Sequence, residues 1–195
     1  MNQKIIILID GGFLRVKVKD AGKNYDPAFI EKFAHLCKTD DEEILRVLYY
    51  DCAPYRGTVK LPVSGNSYTF QNPDRWLDQL AQKDLFAVRR GVLKFRGYLP
   101  KKTPVNQTGT LRDEDFRPSF EQKGVDIRIG LDIAAYSANR AADRIVLVTN
   151  DTDCVPAMKY GRKAGLQVVL IELPNNKCAP ELVMYADFKR FVQYP

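Results

Sequence analysis

Residues 144–153 read Arg-Ile-Val-Leu-Val-Thr-Asn-Asp-Thr-Asp, RIVLVTNDTD. Ile145 to Val148 form a continuous, mostly β-branched apolar run. Such a run predicts a short strand buried on both faces of a parallel sheet. The strand, Arg144 to Thr149, passes through Asn150 directly into Asp151 and Asp153. Downstream, Val155 to Ala164 reads as a helix closed by Gly165, and Leu166 to Ile171 as another buried strand. Upstream, Val125, Ile129, Ile133, Ala134, Tyr136 and Ala138 recur with helical spacing within residues 125–142.

The same strand-then-acid pattern opens the chain, where Lys4 to Ile9 ends at Asp10-Gly11-Gly12. Asp26-Pro27, a capping residue followed by proline, starts a predicted helix that stops by Thr39, and Ile44 to Cys52 is a second strand. Pro54 to Ser67 reads as a turn-rich connection, and Asn72-Pro73 opens a helix running to about Leu85. Phe86 to Leu99 is expected to be a strand or hairpin, residues 99–120 a long loop, Pro180 to Phe188 a helix, and Phe191-Val192 a last short strand. Strands alternating with helices give a three-layer α/β/α class with a mainly parallel central sheet. A chain of 195 residues suits a single domain, 1–195, with an insertion-like loop at about 99–120. That loop is left open as a lid or as the contact of a homodimer. In open parallel sheets ligands bind beyond the carboxyl ends of strands, where strand order reverses, so the residues that end strands carry the functional question.

Composition narrows the chemistry. Apolar residues make up 45% and charged residues 28%, the balance of a folded globular chain. No apolar run approaches the roughly 20 residues of a spanning helix, so no membrane partner is expected. The opening MNQK lacks the order of a signal peptide, and four cysteines without a CxxC pair read as reduced thiols, which together predict a cytoplasmic protein. Histidine occurs once, as His35. Serine-protease triads, His-rich zinc sites and paired-His ribonuclease chemistry therefore lose their proton carrier or ligand, and catalysis must use carboxylates.

Asp10, Asp126 and the Asp151/Asp153 pair fall along one predicted rim. Converging carboxylates repel and retain protons unless a divalent cation neutralises them. An oxygen-only donor set favours a hard ion, Mg²⁺ or Mn²⁺. Taken singly each acid has a plainer reading: Asp126 and Asp151 as helix caps, Asp10 as a turn residue before Gly11. Their coincidence on one rim favours the metal reading. Asp132 lies about 120° around the helix from Asp126, at its flank.

These residues carry a family resemblance. IDGGF at 9–13, KGVDIRIGLDI at 123–133 and TNDTDCVPAMKYGRKAGLQVVLI at 149–171 together resemble the NYN domain, within the LabA-like (DUF88) branch of the PIN-like nucleases. The resemblance covers most of the chain. It implies a PIN-like sheet and divalent-metal-dependent RNA cleavage by the acids matching Asp10, Asp126, Asp151 and Asp153. Asp132 is also a recurrent family acid, and Thr149 matches a small hydroxyl residue that supports the site. Two positions depart from the pattern. Phe13 stands where relatives often carry Asn, and Asn150 where they frequently carry Gly, although its amide can still donate a hydrogen bond. The first departure supports an alternative reading, a catalytically inactive RNA-binding or assembly module. A dehalogenase-like phosphatase is disfavoured because Gly12 stands where its second Asp is expected, and a Rossmann site because the glycine fingerprint is missing.

The net charge of +6 favours a polyanionic partner. Candidate RNA contacts are Arg15, Lys17, Lys19 and Lys23 after the first motif, then Arg89, Arg90, Lys94, Arg96, Lys101 and Lys102. Phe95 and Tyr98, interleaved among them, are expected to stack on unpaired bases, favouring single-stranded RNA. The competing reading is a solvated strand face.

Overall fold

The computed structural model of the chain describes residues 2–71, 75–103 and 109–195. In chain order the elements are β1 (Gln3–Asp10), α1 (Gly11–Asp20), α2 (Pro27–Leu36), β2 (Glu42–Cys52), β3 (Arg56–Lys60), β4 (Ser67–Gln71), α3 (Arg75–Ala81), β5 (Phe86–Pro100), β6 (Phe116–Lys123), α4 (Val125–Ala138), β7 (Arg144–Val148), α5 (Val155–Lys163), β8 (Gln167–Glu172), α6 (Pro180–Met184) and β9 (Phe188–Phe191). A seven-stranded sheet has the order β6-β5-β2-β1-β7-β8-β9, and β3 and β4 form a separate pair. β1 runs parallel to β2 and β7, and the parallel series continues through β8 to β9. The structure thus has the α/β class, with a mostly parallel sheet flanked by helices, that the sequence implies.

The chain divides into two compact units. The first comprises Met1–Asp51, Arg75–Arg90 and Gly124–Pro195. Its central strands β1, β7 and β8 are buried on both sides because helices cover both faces. Ile5, Ile7 and Ile9 join Leu14 and Val18 of α1 and Ile30 and Phe33 of α2 in one cluster. Ile6 and Leu8, which a strand's period of two sends to the other face, are equally buried. On that side α4 and α5 supply Ile129, Ile133 and Met158. Gly161 lets α5 approach closely, since a Cβ there would lie 3.3 Å from Ile133 and 3.8 Å from Ile145. From the central β1–β7 pair, strand order runs outward through β2 on one side and through β8 and β9 on the other. The carboxyl ends of β1 and β7 therefore mark the reversal point.

The second unit comprises Cys52–Asp74 and Gly91–Lys123. β3 and β4 pair antiparallel, as do the later part of β5 and β6. An aromatic cluster forms its interior: Tyr55 lies 5.6 Å from both Phe70 and Phe120, and Phe95 5.8 Å from Phe120 and 5.2 Å from Tyr98.

Several expectations are corrected. Gly11–Asp20, read without an element, is helix α1. The turn-rich stretch from Pro54 to Ser67 contains β3 and reaches the start of β4. Within 99–120, residues 113–115 make a helical turn and β6 begins at Phe116, so the described part is largely ordered. The expected Asn72-Pro73 helix start and Asn106 lie outside the described residues. α4 ends at Ala138, four residues early, and Arg140 turns left-handed at φ 48°.

Candidate metal centre

Asp10 ends β1 and caps α1: its Oδ1 accepts the Phe13 N–H at 3.0 Å. Its Oδ2 accepts the Thr149 hydroxyl at 3.2 Å. Thr149, buried at the end of β7, also accepts the Asp151 N–H on Oγ1 at 3.1 Å. One hydroxyl thus ties the ends of two neighbouring strands together. Asp151 Oδ1 in turn accepts the Asp153 N–H at 2.9 Å and caps the helical turn 152–154 that leads into α5. Asp126 approaches from α4, whose N-cap is Gly124 at φ 78°, a left-handed conformation in which a side chain is strained. Asp126 itself takes no part in capping that helix.

One carboxylate oxygen from each of Asp126, Asp151 and Asp153 lies within 4.8 Å of the other two. Asp126 and Asp153 are exposed and Asp151 is half-buried. Asp10 is not one of this triad, but burial raises its pKa against two hydrogen bonds that lower it, and the charge of Asp126 raises it further. Burial, then Asp151 and Asp153, raise the pKa of Asp126. The buried Cys154 thiol registers the same field. Burial first, then Asp151, Asp126, Asp10 and Asp153, push it up to about 12, which leaves it an inert packed thiol. Among the described residues no Lys or Arg forms an ion pair with any of these four aspartates. Their charge therefore lacks a protein counter-ion, and their donor set, oxygen only and open to solvent, fits a hard divalent cation.

Asp132 is placed differently. Arg89 grips it with both arms of its guanidinium, Nε to Oδ2 at 2.9 Å and Nη2 to Oδ1 at 3.2 Å, and Tyr50 donates to Oδ2 at 2.9 Å. With its oxygens so occupied it works as an anchor between α4 and the sheet. Asn150 also has a task other than the expected one, since its Oδ1 accepts the Ala179 N–H at 2.7 Å and fixes the chain entering α6. Phe13 packs against the core cluster.

The proposed RNA contacts divide. Arg15 pairs with Asp51, Arg89 with Asp132, Arg90 with Asp78 and Arg96 with Glu121. Lys23 donates to the Pro195 carbonyl at 2.7 Å. Lys17, Lys94, Lys101 and Lys102 form no ion pair among the described residues. Phe95 and Tyr98 are engaged in the aromatic cluster, not held out as stacking platforms.

Asp51 escaped the sequence reading. It is the last residue but one of β2, after the apolar run of that strand, so an acid near a strand end was present in YYDC. The residue is fully buried and paired with Arg15 of α1. Tyr49 donates to Asp51 at 3.1 Å and so accepts from Tyr25, 2.8 Å away. Tyr25 also lies 3.4 Å from the Gly11 carbonyl. Burial above all holds both phenols protonated. Gly11 is required here, because a Cβ would meet the Tyr49 ring at 2.3 Å. The network braces the first turn of α1, the turn that Asp10 caps.

No described helix is long and apolar enough to cross a membrane. A protein-family model described as the NYN domain matches residues 4–194. Comparison with curated proteins finds no significant match. Among solved structures, a protein of unknown function from Vibrio parahaemolyticus is similar with a TM-score of 0.57 and 18% identity, over 100% of this chain and 94% of that one. At that identity the likeness concerns the fold alone.

Proposed function

The chain belongs to the NYN domain family, within the PIN-like nuclease superfamily, and from that premise we propose that it is a divalent-metal-dependent ribonuclease acting on single-stranded RNA. The observation that carries the proposal is the carboxylate triad within 4.8 Å, joined to Asp10 through Thr149 and without a cationic partner among the described residues. The motifs around Asp126 and Asp151 support a place in the LabA-like branch of that family. Asp126, Asp151 and Asp153 would hold Mg²⁺ or Mn²⁺, with Asp10 as the fourth carboxylate. Such an ion, when bound, supplies a positive charge for the scissile phosphate and acidifies a water. Thr149 keeps Asp10 and the Asp151 backbone in register. The Phe13 N–H, in the α1 cap, holds Asp10 Oδ1 against the first turn of that helix. Because each carboxylate oxygen has two lone pairs, Asp10 retains acceptor capacity at Oδ2, where it can take a proton from an attacking water.

A fluorescently labelled single-stranded RNA incubated with Mn²⁺ or Mg²⁺ tests the reading. Wild-type protein is expected to cut it, EDTA to stop the reaction, and Asp10→Asn with Asp151→Asn to abolish it. The packing of Phe13 where relatives carry a polar residue favours one rival, an RNA-binding or assembly module without turnover. RNA that is bound yet stays intact with both ions would establish that rival.

A further inference from the structure

The second unit, taken by itself, has one covered face and one open one. In an antiparallel pair, residues directly opposite share a face. Phe95 faces Phe120 and Tyr98 faces Pro118, and the rings of Phe95 and Phe120 pack on Tyr55 and Phe70 of the same unit. That side is closed. The opposite side carries Val92, Lys94 and Arg96 from β5, and Arg117, Ser119, Glu121 and Lys123 from β6, by the alternation of each strand. Lys94, Arg96, Arg117 and Lys123 are all exposed. Four cations thus share a face with a single acid, Glu121, which pairs with Arg96 and Lys123. Lys94 and Arg117 have no acidic partner among the described residues.

Sequence composition repeats the point: this unit holds nine Lys and Arg against five Asp and Glu, most of the chain's net +6 in 56 of its residues. Lys94 and Arg96 stand one strand period apart, roughly 6.7 Å. Exposed Val92 and Leu99 flank the cations on β5, 55% and 48% accessible, and offer apolar contact that a duplex, with its bases stacked inside, does not use.

We propose that the open face of the β5–β6 ribbon is a grip for the phosphate backbone of single-stranded RNA, anchored by Lys94 and Arg117. The proposal deepens the ribonuclease reading and rests on it for the choice of RNA, but binding here needs neither the aspartates nor a metal ion. The second unit supplies affinity, the aspartate rim chemistry, and the two can be removed separately.

The test is fluorescence anisotropy of a 5′-labelled 20-nucleotide oligouridine with the full chain in EDTA, across a salt series. Lys94→Glu with Arg117→Glu is expected to weaken binding at least tenfold at 0.1 M salt. Each lost phosphate contact flattens the slope of log affinity against log salt by about 0.7, so two contacts flatten it by about 1.4. Among the described residues neither carries an ion pair that the change would break, and Lys94→Gln with Arg117→Gln gives a milder second variant should charge reversal disturb folding. Lys32→Glu with Lys163→Glu, a matched change in the first unit, is expected to leave affinity near wild type. Asp10→Asn with Asp151→Asn should bind as wild type while cutting nothing. Equal binding by the Lys94/Arg117 variants, equal weakening by the Lys32/Lys163 control, or no binding by wild type would overturn the proposal. So would displacement of the RNA by polyglutamate at equal charge concentration, which would mark a polypeptide-binding face. If binding behaves as expected but wild type never cuts RNA with Mn²⁺, the nuclease reading alone fails.

Discussion

Neutralising Asp126 should make the metal-free protein more stable and the metal-loaded protein less so. One oxygen from each triad acid lies within 4.8 Å of the other two. Two unit charges at that separation repel by roughly 0.9 kcal/mol in water and roughly 3.5 kcal/mol at an effective dielectric of 20. Asp126 and Asp153 are exposed, so the lower figure governs. Asp126 meets two such charges, and Asp126→Asn therefore relieves about 2 kcal/mol. Against this, an acid in the first turn of a helix is favoured by the helix dipole by roughly 0.3–1 kcal/mol, which the change gives up. Repulsion wins, leaving a net gain of about 1 kcal/mol, or roughly 2–4 °C in Tm at this chain length. The pKa of Asp126 is raised in the folded protein from an ordinary value of 3.8. Its protonated form therefore stabilises the fold below that ordinary value, and the contribution is lost as pH rises through the raised one. The advantage of the variant should accordingly vanish in acid below about pH 3.8. With Mn²⁺ at a hundred times its Kd, wild type gains about 2.7 kcal/mol, whereas the variant, with two triad acids left, gains much less. Thermal melts of both proteins at neutral pH, in EDTA and in MnCl₂, read the effect directly. The order of Tm values should invert between the two buffers. A variant no more stable than wild type in EDTA, or an unchanged Mn²⁺ shift, would refute the shared-ion geometry.

Two further outcomes follow from buried charges. Glu42, buried at the start of β2, accepts from both arms of Arg190 at 2.8 and 2.9 Å, from Arg144 at 3.0 Å and from the Thr39 N–H at 2.9 Å. Burial opposes its charge, but these donors outweigh it and bring its pKa from 4.5 to about 2. Its contribution is present above pH 4.5 and lost as pH falls toward about 2, so Glu42→Gln should flatten an acid-unfolding curve in that window. It should also cost about 3 kcal/mol at neutral pH by leaving two arginines without their partner, read by urea denaturation. Arg15→Met should cost about 3–5 kcal/mol by taking the guanidinium away from the buried Asp51 carboxylate, with Asp51→Leu added to it restoring most of the loss. A change within 1 kcal/mol would mean that Arg15 is not the partner the geometry makes it.

How much of this was legible in the sequence depended on whether the deciding force was local. β1, β7 and β8 were readable because a buried parallel strand must be apolar on both faces. α2 was readable because Asp26-Pro27 satisfies and pre-sets its first turn. α1 was not. Arg15-Val16-Lys17-Val18 alternates like a strand, and only the cap from Asp10 and the burial of Leu14 and Val18, four residues apart, make it helical. β3 and β4 hid among prolines and glycines, and depend on an aromatic cluster assembled from distant positions. The acids after β1 and β7 were legible for the reason that those strands were, and Asp51, one residue before the end of β2, carries a similar signal. The engagement of Asp132 by Arg89, 43 residues earlier, and of Arg15 by Asp51 belongs to tertiary structure. A count of charges cannot separate a cation spent inside the fold from one offered to a partner.

The caps on α1 and on the turn before α5 give the carboxylates two employments. Asp10 and Asp151 hold up architecture as well as charge, while Asp126 has no such second duty. Asparagine at the first two would keep the cap and lose the chemistry, and alanine would forfeit both. A descendant of this protein relieved of any need to react would thus shed Asp126 early and surrender Asp10 and Asp151 last. On the proposed ribonuclease reading, the acid at the head of α4 is the sharper marker of a working enzyme.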